Sequence, residues 1–409
     1  MVTMQEALSL ILKEAQPLPA EKKAFWEAQG FVLTQDVVAP HNVPPFDNSA
    51  MDGFAVRAVD TAGADVDSPR ALRVRASVAA GHTTGHRVVE GEAVKIMTGA
   101  PMPAGADAVV EVESTKEEGD SVFIGKEVRS GENVRMAGED VTEGSIVLPE
   151  GSSIGPAAVG LLASLGHSQV QVHRKPRVAV LATGSELVGV DQDLAPGQIR
   201  DSNSYTAAAQ CRTLGLDPVR LGVAPDDKES TRRLVGEGLE YDVLITSGGV
   251  SVGEYDFVKD VQDELGVDRR FWRVAMKPGR PLSFGVRDGT LVFGVPGNPV
   301  AAMVSFEIFI RPALLRLMGH RKVLRPMRKA VLQEQTHNRH GRVHVMRVKA
   351  WREGERWLVS TTGPQGSGIL RSMVLANGLV LVPEDSRGLA AGDEVDLLLL
   401  EEEREELED

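Results

Sequence analysis

Apolar residues along this chain recur with two different periods, and the switches between them mark its elements. Met4, Ala7, Leu8, Ile11, Leu12 and Ala15 fall at helical spacing. Thr3 and Glu6 make a capping-box pair in front of them, and Pro17 and Pro19 stop the helix. A second helix is predicted over residues 20–29, then a strand in FVLTQDVVAP closed by Pro40. These segments bury little alone and read as an extended arm. From Val43 the period shortens to β-type runs at 72–78, 93–97, 108–113 and 121–128, separated by Gly and Pro, which indicates a small β-rich domain inserted in the arm. The chain returns to the arm over 129–155, and a helix follows to Leu165, ended by Gly166.

Residues 177–318 alternate strand and helix. Strands are expected at 177–183, 219–224, 242–247, 270–275 and 290–295, with helices at 202–214, 228–239, 257–265 and 299–318. Continuous apolar strands between amphipathic helices define a doubly wound α/β domain with a parallel sheet. Past Arg325 the pattern is strand-like to the end, an all-β module of the small barrel or sandwich kind.

The chain's 409 residues suffice for two to four domains, and 42% apolar with 25% charged residues is ordinary for a soluble globular protein. Net charge is −13, of which the last nine residues carry −6. Without a basic face, non-specific nucleic-acid binding is not expected. Cys211, the one cysteine, excludes an intrachain disulfide and a cysteine metal cage, and its helical setting makes it a core filler. No signal-peptide pattern or membrane-length apolar run is present, so no membrane association is expected and the cytoplasm is the expected location.

Candidate chemistry concentrates where the strand at 242–247 ends. Ser247, Gly248 and Gly249 follow an apolar run, and adjacent glycines let backbone amides approach an anion such as a phosphate at the carboxyl edge of a sheet. Asp256 brings a carboxylate to that rim, suited to a hydrated Mg2+. A second loop, VPGNPV at 295–300, answers the first. Carboxylates at Glu186, Asp226 or Asp227, and Asp256 would share a divalent cation, while Lys277, Arg280 and the glycine amides take the phosphate charge. That division suits phosphoryl chemistry. Residues 249–253 also spell G-x-S-x-G around Ser251, but a nucleophile elbow needs a helix straight after the serine, and the doubled glycine and Glu254 favour a wide loop. Asp52-Gly53 reads as a hairpin turn or a ligand contact, and Thr98 as an available hydroxyl or a turn cap. His337, His340 and His344 cross a turn into a strand, so their rings need not converge on a metal.

SAMDGFAVR (49–57), KIMTGAPMPAGADAVV (95–110), GENVRMAGEDV (131–141), LATGSEL (181–187), DSN (201–203), TSGGVSVGEYD (246–256), MKPGRPLSFG (276–285), GVPGNPVA (294–301) and GSGILRSMVLANGLV (366–380) fall in order across nearly the whole chain. Together they resemble the molybdopterin molybdenumtransferase family, MoeA, to which the gephyrin E domain is similar. The resemblance implies four domains: a discontinuous arm at 1–43 and 138–175, an inserted β-rich domain at 44–137, an α/β domain of molybdopterin-binding type at 176–322, and a C-terminal β domain at 323–409 with an acidic tail. It implies an elongated homodimer, with the site between the α/β domain of one subunit and the inserted domain of the other.

The implied reaction is Mg2+-assisted insertion of molybdate into adenylylated molybdopterin, releasing AMP and yielding molybdenum cofactor, with other cofactor-synthesis proteins as candidate partners. By motif position, Asp52 and Thr98 contribute from the inserted domain, and Glu186, Asp226 and Asp256 supply acidic contacts, with Asp226 preferred over Asp227. Ser247, Gly248, Gly249 and Ser251 cradle the pterin phosphate, and Lys277 and Arg280 neutralise charge. Pro296, Asn298 and Pro299 shape the closing loop. Two rivals are a molybdopterin adenylyltransferase, which would not need the segments outside 177–318, and a gephyrin-like binding scaffold.

Overall fold

Thr3 and Glu6 close a reciprocal cap on the helix Met4–Glu14. The Glu6 amide donates to Thr3 Oγ1 at 3.1 Å and the Thr3 amide donates to Glu6 Oε2 at 2.8 Å. Such a cap stabilises by about 1 kcal/mol. Ala7 and Ile11 on its apolar face enter a core shared with Phe309, Leu314 and Leu317. The computed structural model describes residues 1–249, 257–337 and 341–401. It forms two units: Met1–Lys22, Gly30–Thr34 and Gln171–Asp409 make the first, and Lys23–Gln29 with Gln35–Val170 the second.

The helix expected over 20–29 is instead a strand, Ala20–Ala24, followed by the single 3-10 turn Phe25–Glu27. The strand pairs with Gln169–His173. That partner decides the outcome, because tertiary pairing overrides the weak helix preference of Ala, Glu and Lys.

In the first unit six strands form a mixed sheet in the order Val219–Ala224, Val178–Thr183, Val243–Ser247, Thr290–Val295, Ser283–Arg287 and Asp268–Phe271. The first four are parallel, Ser283–Arg287 runs antiparallel to them, and Asp268–Phe271 antiparallel to Ser283–Arg287. Val178, Val180, Val243 and Ile245 face one core, and Ala179, Leu181 and Leu244 the other. Burial on both faces explains why these strands read as unbroken apolar runs. Helices Asn203–Arg212, Lys228–Gly238 and Phe257–Glu264 cover the sheet, and the expected long helix runs as Pro299–Ser305, a π segment Phe306–Ile310 and Arg311–Leu317. Cys211 is wholly buried in this core, and burial pushes its thiol up to about 12.

The strand expected at 270–275 stops at Phe271, and Ser283–Arg287 was not foreseen. Trp272–Ala275 leaves the sheet because its backbone bonds elsewhere: the Val274 amide donates to the Arg280 carbonyl and the Ala275 amide to that of Val2. The next strand, Met276–Lys277, joins a different sheet and sets Lys277 beside His344.

That sheet belongs to a small closed barrel. Val343–Glu353 pairs with both Arg356–Thr361 and Gly378–Val382, and Met327–Leu332 and Glu394–Leu399 complete the ring. Leu332, Met346, Val348, Val359, Val380 and Leu397 fill its interior. In the second unit a six-stranded sheet runs Ala108–Glu111, Gly53–Val56, Glu92–Ile96, Arg70–Val78, Ser121–Ile124 and Thr115–Glu118. Gly53 is required there, since a Cβ would lie 2.0 Å from the Val110 carbonyl oxygen. Among the described residues no helix is long and apolar enough to cross a membrane.

Candidate functional site

Ser247 ends the central strand, and the next two residues turn the backbone through the left-handed region, Gly248 at φ 88° and Gly249 at φ 65°. Side chains are excluded as well as strained: a Cβ on Gly248 would lie 2.6 Å from the Thr183 carbonyl oxygen, and one on Gly249 2.3 Å from Val258 Cγ2. The turn is fastened to the PGNP loop. Asn203 Nδ2 donates to Ser247 Oγ and to the Gly297 carbonyl, both at 2.8 Å, and the Gly248 amide donates to the Val295 carbonyl at 3.1 Å.

A cavity of about 830 Å³ opens at this carboxyl edge. Ser247, Gly248 and Gly249 form one side, Pro296, Asn298 and Pro299 a second, and Glu186 and Asp226 a third. The acid loops follow the strands Val178–Thr183 and Val219–Ala224, which are parallel neighbours. Glu186 folds its carboxylate over Gly184, where a Cβ would come within 2.4 Å of Oε2. Asp226 is held by Ser185, whose amide donates to Oδ2 at 3.0 Å. Asp227 does different work. It caps the helix Lys228–Gly238, and the Ser230 amide, donating at 2.7 Å, holds its carboxyl below the usual range.

Lys277 and Arg280 do not line that cavity but a neighbouring one of about 660 Å³, together with Arg342, His337 and His344. The two cavities share Pro281, Pro296 and Asn298 in their walls. Burial, with the charges of Arg342 and Arg347, pushes the Lys277 ammonium below the usual lysine range. The structure therefore parts site charges that the sequence had placed together: Lys277 and Arg280 line one chamber, which also holds Glu334, and Glu186 and Asp226 line the next, which also holds Arg200.

In the second unit Asp52 and Thr98 meet directly. The Thr98 amide and hydroxyl donate to Asp52 Oδ1 at 2.7 and 2.8 Å, and these bonds, the amide first, hold the carboxyl below its usual range. Ser251, Asp256 and His340 lie outside the described residues. Among the described residues no group of three or more His, Cys, Asp or Glu could hold a metal. Glu186 and Asp226 still suit Mg2+, which takes hard oxygen ligands and often uses one or two carboxylates with water and substrate phosphates.

Sequence reasoning missed Asn203, Arg342 and the segment Gln365–Ser367 that walls the cationic cavity. Asn203 stood within the DSN motif, and its place at a helix start gave a signal of capping only. The basic residues sit on or beside strands, where periodicity does not distinguish a cavity wall from a solvated face.

Three family models match consecutive stretches of the chain. Residues 2–166 match the MoeA N-terminal region (domain I and II), 179–316 the probable molybdopterin binding domain, and 329–400 the MoeA C-terminal region (domain IV). The molybdopterin molybdenumtransferase of Staphylococcus aureus (strain MRSA252) is 36% identical over 408 residues, covering 100% of this chain and 97% of its own length. Molybdopterin molybdenumtransferase 2 of Mycobacterium tuberculosis (strain CDC 1551 / Oshkosh) is 43% identical over 397 residues, covering 96% and 97%. A solved structure, the molybdopterin biosynthesis MoeA protein from Pyrococcus horikosii, superposes with a TM-score of 0.84 at 33% identity, covering 98% of this chain and 100% of that one. The chain belongs to the MoeA family.

Proposed function

We propose that this protein is a molybdopterin molybdenumtransferase that takes adenylylated molybdopterin and molybdate to molybdenum cofactor and AMP. The observation that carries the reading is the pair of adjoining cavities, one bounded by glycine turns and the carboxylates of Glu186 and Asp226 among others, the other by Lys277, Arg280 and Arg342, with Pro296 and Asn298 common to both. A nucleotide-bearing substrate needs amides for its phosphates and a cation to offset their charge, whereas a free oxyanion needs fixed positive side chains. Ser247, Gly248 and Gly249 would cradle the phosphate, with Pro296, Asn298 and Pro299 closing over it. Glu186 and Asp226, joined by Asp256, would hold Mg2+, which supplies charge neutralisation at the phosphoanhydride. Ser251 would complete the phosphate cradle.

Lys277 and Arg280 would orient molybdate, Lys277 half-buried and Arg280 exposed in a wall they share with proline and barrel residues. Asp52, kept ionised by Thr98, would act from the inserted domain of a second subunit, making the homodimer the working unit. The units would divide further, into the discontinuous arm 1–43 and 138–175, the insert 44–137, the α/β domain 176–322 and the β domain 323–409. We place the protein in the cytoplasm, alongside other proteins of cofactor synthesis.

The assay that tests the reading offers the purified protein two substrate sets. AMP release from adenylylated molybdopterin that depends on molybdate supports it. Consumption of ATP with free molybdopterin and no molybdate would reassign the protein as an adenylyltransferase, and no turnover in either would leave a binding scaffold.

A further inference from the structure

Ser305 is the last residue of the helix Pro299–Ser305 and is wholly buried. Among the described residues its Oγ has no hydrogen-bond partner. A serine inside a helix can return its hydroxyl to the carbonyl four residues back, here that of Ala301, but Ser305 does not, and the π segment Phe306–Ile310 starts directly after it. An unbonded buried hydroxyl is costly, and packing alone would favour alanine. The oxygen therefore calls for a reason beyond packing.

Its neighbour is the turn that carries Lys277 and Arg280. A Cβ built on Gly279 would lie 3.0 Å from Ser305 Oγ and 3.2 Å from Met276 Cε, so the turn rests between those two side chains. Gly279 keeps the turn in the left-handed region at φ 103°. Lys277, Gly279 and Arg280 line their chamber directly, and Ser305 lies behind them. A second buried hydroxyl without a partner, Thr336 Oγ1, belongs to a residue of the barrel wall of the same chamber. One unspent hydroxyl thus stands on the α/β side of the chamber and one on the barrel side.

We infer that Ser305 is a positioning residue for the oxyanion of this chamber: its hydroxyl donates to the backbone of the 277–280 turn when the oxyanion draws Lys277 and Arg280 toward it. The inference rests on the reading of this chamber as the molybdate site. A bond made only in the ligand-bound arrangement adds to affinity and gives nothing to the stability of the ligand-free fold. Removing the hydroxyl should therefore move the two quantities in opposite directions, which a purely structural serine would not do.

Ser305→Ala and Ser305→Cys test this in the full chain, by thermal unfolding without ligand and by calorimetric titration with molybdate alone. Cysteine keeps a side chain of similar size but donates weakly, whereas alanine removes the group. Without ligand, Ser305→Ala should unfold about 2 °C above the wild type, because an unbonded buried hydroxyl has gone. The Kd for molybdate should rise about tenfold in both variants, the worth of roughly one hydrogen bond, while the Kd for AMP stays at the wild-type value. Wild-type molybdate affinity in both variants, or in Ser305→Cys alone, would overturn the inference, since the hydroxyl would then be idle or a mere filler of space. A lower unfolding temperature in Ser305→Ala would also overturn it, by showing a hydroxyl that already supports the ligand-free fold. If the wild type itself binds no molybdate, the reading of the chamber fails and the inference falls with it. If the wild type binds and the variants match it, only the role of Ser305 fails.

Discussion

Ser185 and Asp226 hold each other across two loops: the Ser185 amide donates to Asp226 Oδ2 at 3.0 Å, and the Asp226 amide donates back to Ser185 Oγ at 2.9 Å. This clasp keeps two acid-bearing strand ends at one rim and aims Asp226 into the cavity while Asp227 is taken up in a cap. Asp226→Asn should fold normally and lower Mg2+-dependent turnover about a hundredfold, the size expected for loss of one preorganised charge at a reacting centre. Ser185→Ala should raise the half-saturating Mg2+ concentration by about fivefold, the worth of roughly one hydrogen bond. Mg2+ titrations of initial rate, with circular dichroism as a folding control, check both.

Asp52 is ionised more readily than a free aspartate because Thr98 donates to it twice, first through its amide. Removing the hydroxyl leaves the amide in place, so Thr98→Val should move the Asp52 carboxyl partway up toward its usual value. The acid limb of the kcat/KM profile should shift to higher pH in Thr98→Val and disappear into a low pH-independent rate in Asp52→Ala. An unshifted limb would show that Asp52 is not the group titrating.

Lys277 behaves oppositely, since burial and then Arg342 and Arg347 disfavour its charged form. It sheds its proton at lower pH than a free lysine, and molybdate affinity should fall on the alkaline side before ordinary lysines titrate. Lys277→Arg should abolish that fall, because a guanidinium stays protonated. Arg342→Gln should move it to higher pH only in part, burial being the larger cause. Calorimetric titration with molybdate across the alkaline range reads all three.

If the working site draws Asp52 from one subunit and Asp226 from the other, inactive variants should rescue each other. Heterodimers of Asp52→Ala with Asp226→Ala contain one intact site and should recover about half the wild-type rate per dimer. Verified heterodimers with no activity would confine both acids to one chain.

Much of this was legible in the residues themselves. Val243–Ser247 declared itself because it is buried on both faces and ends at two glycines whose positive φ no other residue adopts easily. Ser283–Arg287 did not, since Pro281 and Gly285 break its pattern. Gly285 is needed there because a Cβ would lie 2.7 Å from Val267 Cγ1, on a strand whose neighbour presses close. Asp226 and Asp227 were adjacent acids that local pattern alone did not separate, the preference for Asp226 coming from motif position, and in the structure the helix Lys228–Gly238 takes Asp227 as its cap. The separation of Lys277 and Arg280 from Glu186 and Asp226 was invisible for a different reason. It depends on Met276–Lys277 leaving the α/β sheet to pair with the barrel, a non-local choice that no local period records.

The most direct test is anomalous diffraction at the molybdenum edge from crystals soaked with molybdate, Mg2+ and AMP. The account predicts a molybdenum peak in the chamber of Lys277, Arg280 and Arg342, with the AMP phosphate against Gly248 and Gly249 in the chamber next to it. Molybdenum bound at the glycine turns, or at neither chamber in a crystal where AMP is seated, would contradict it.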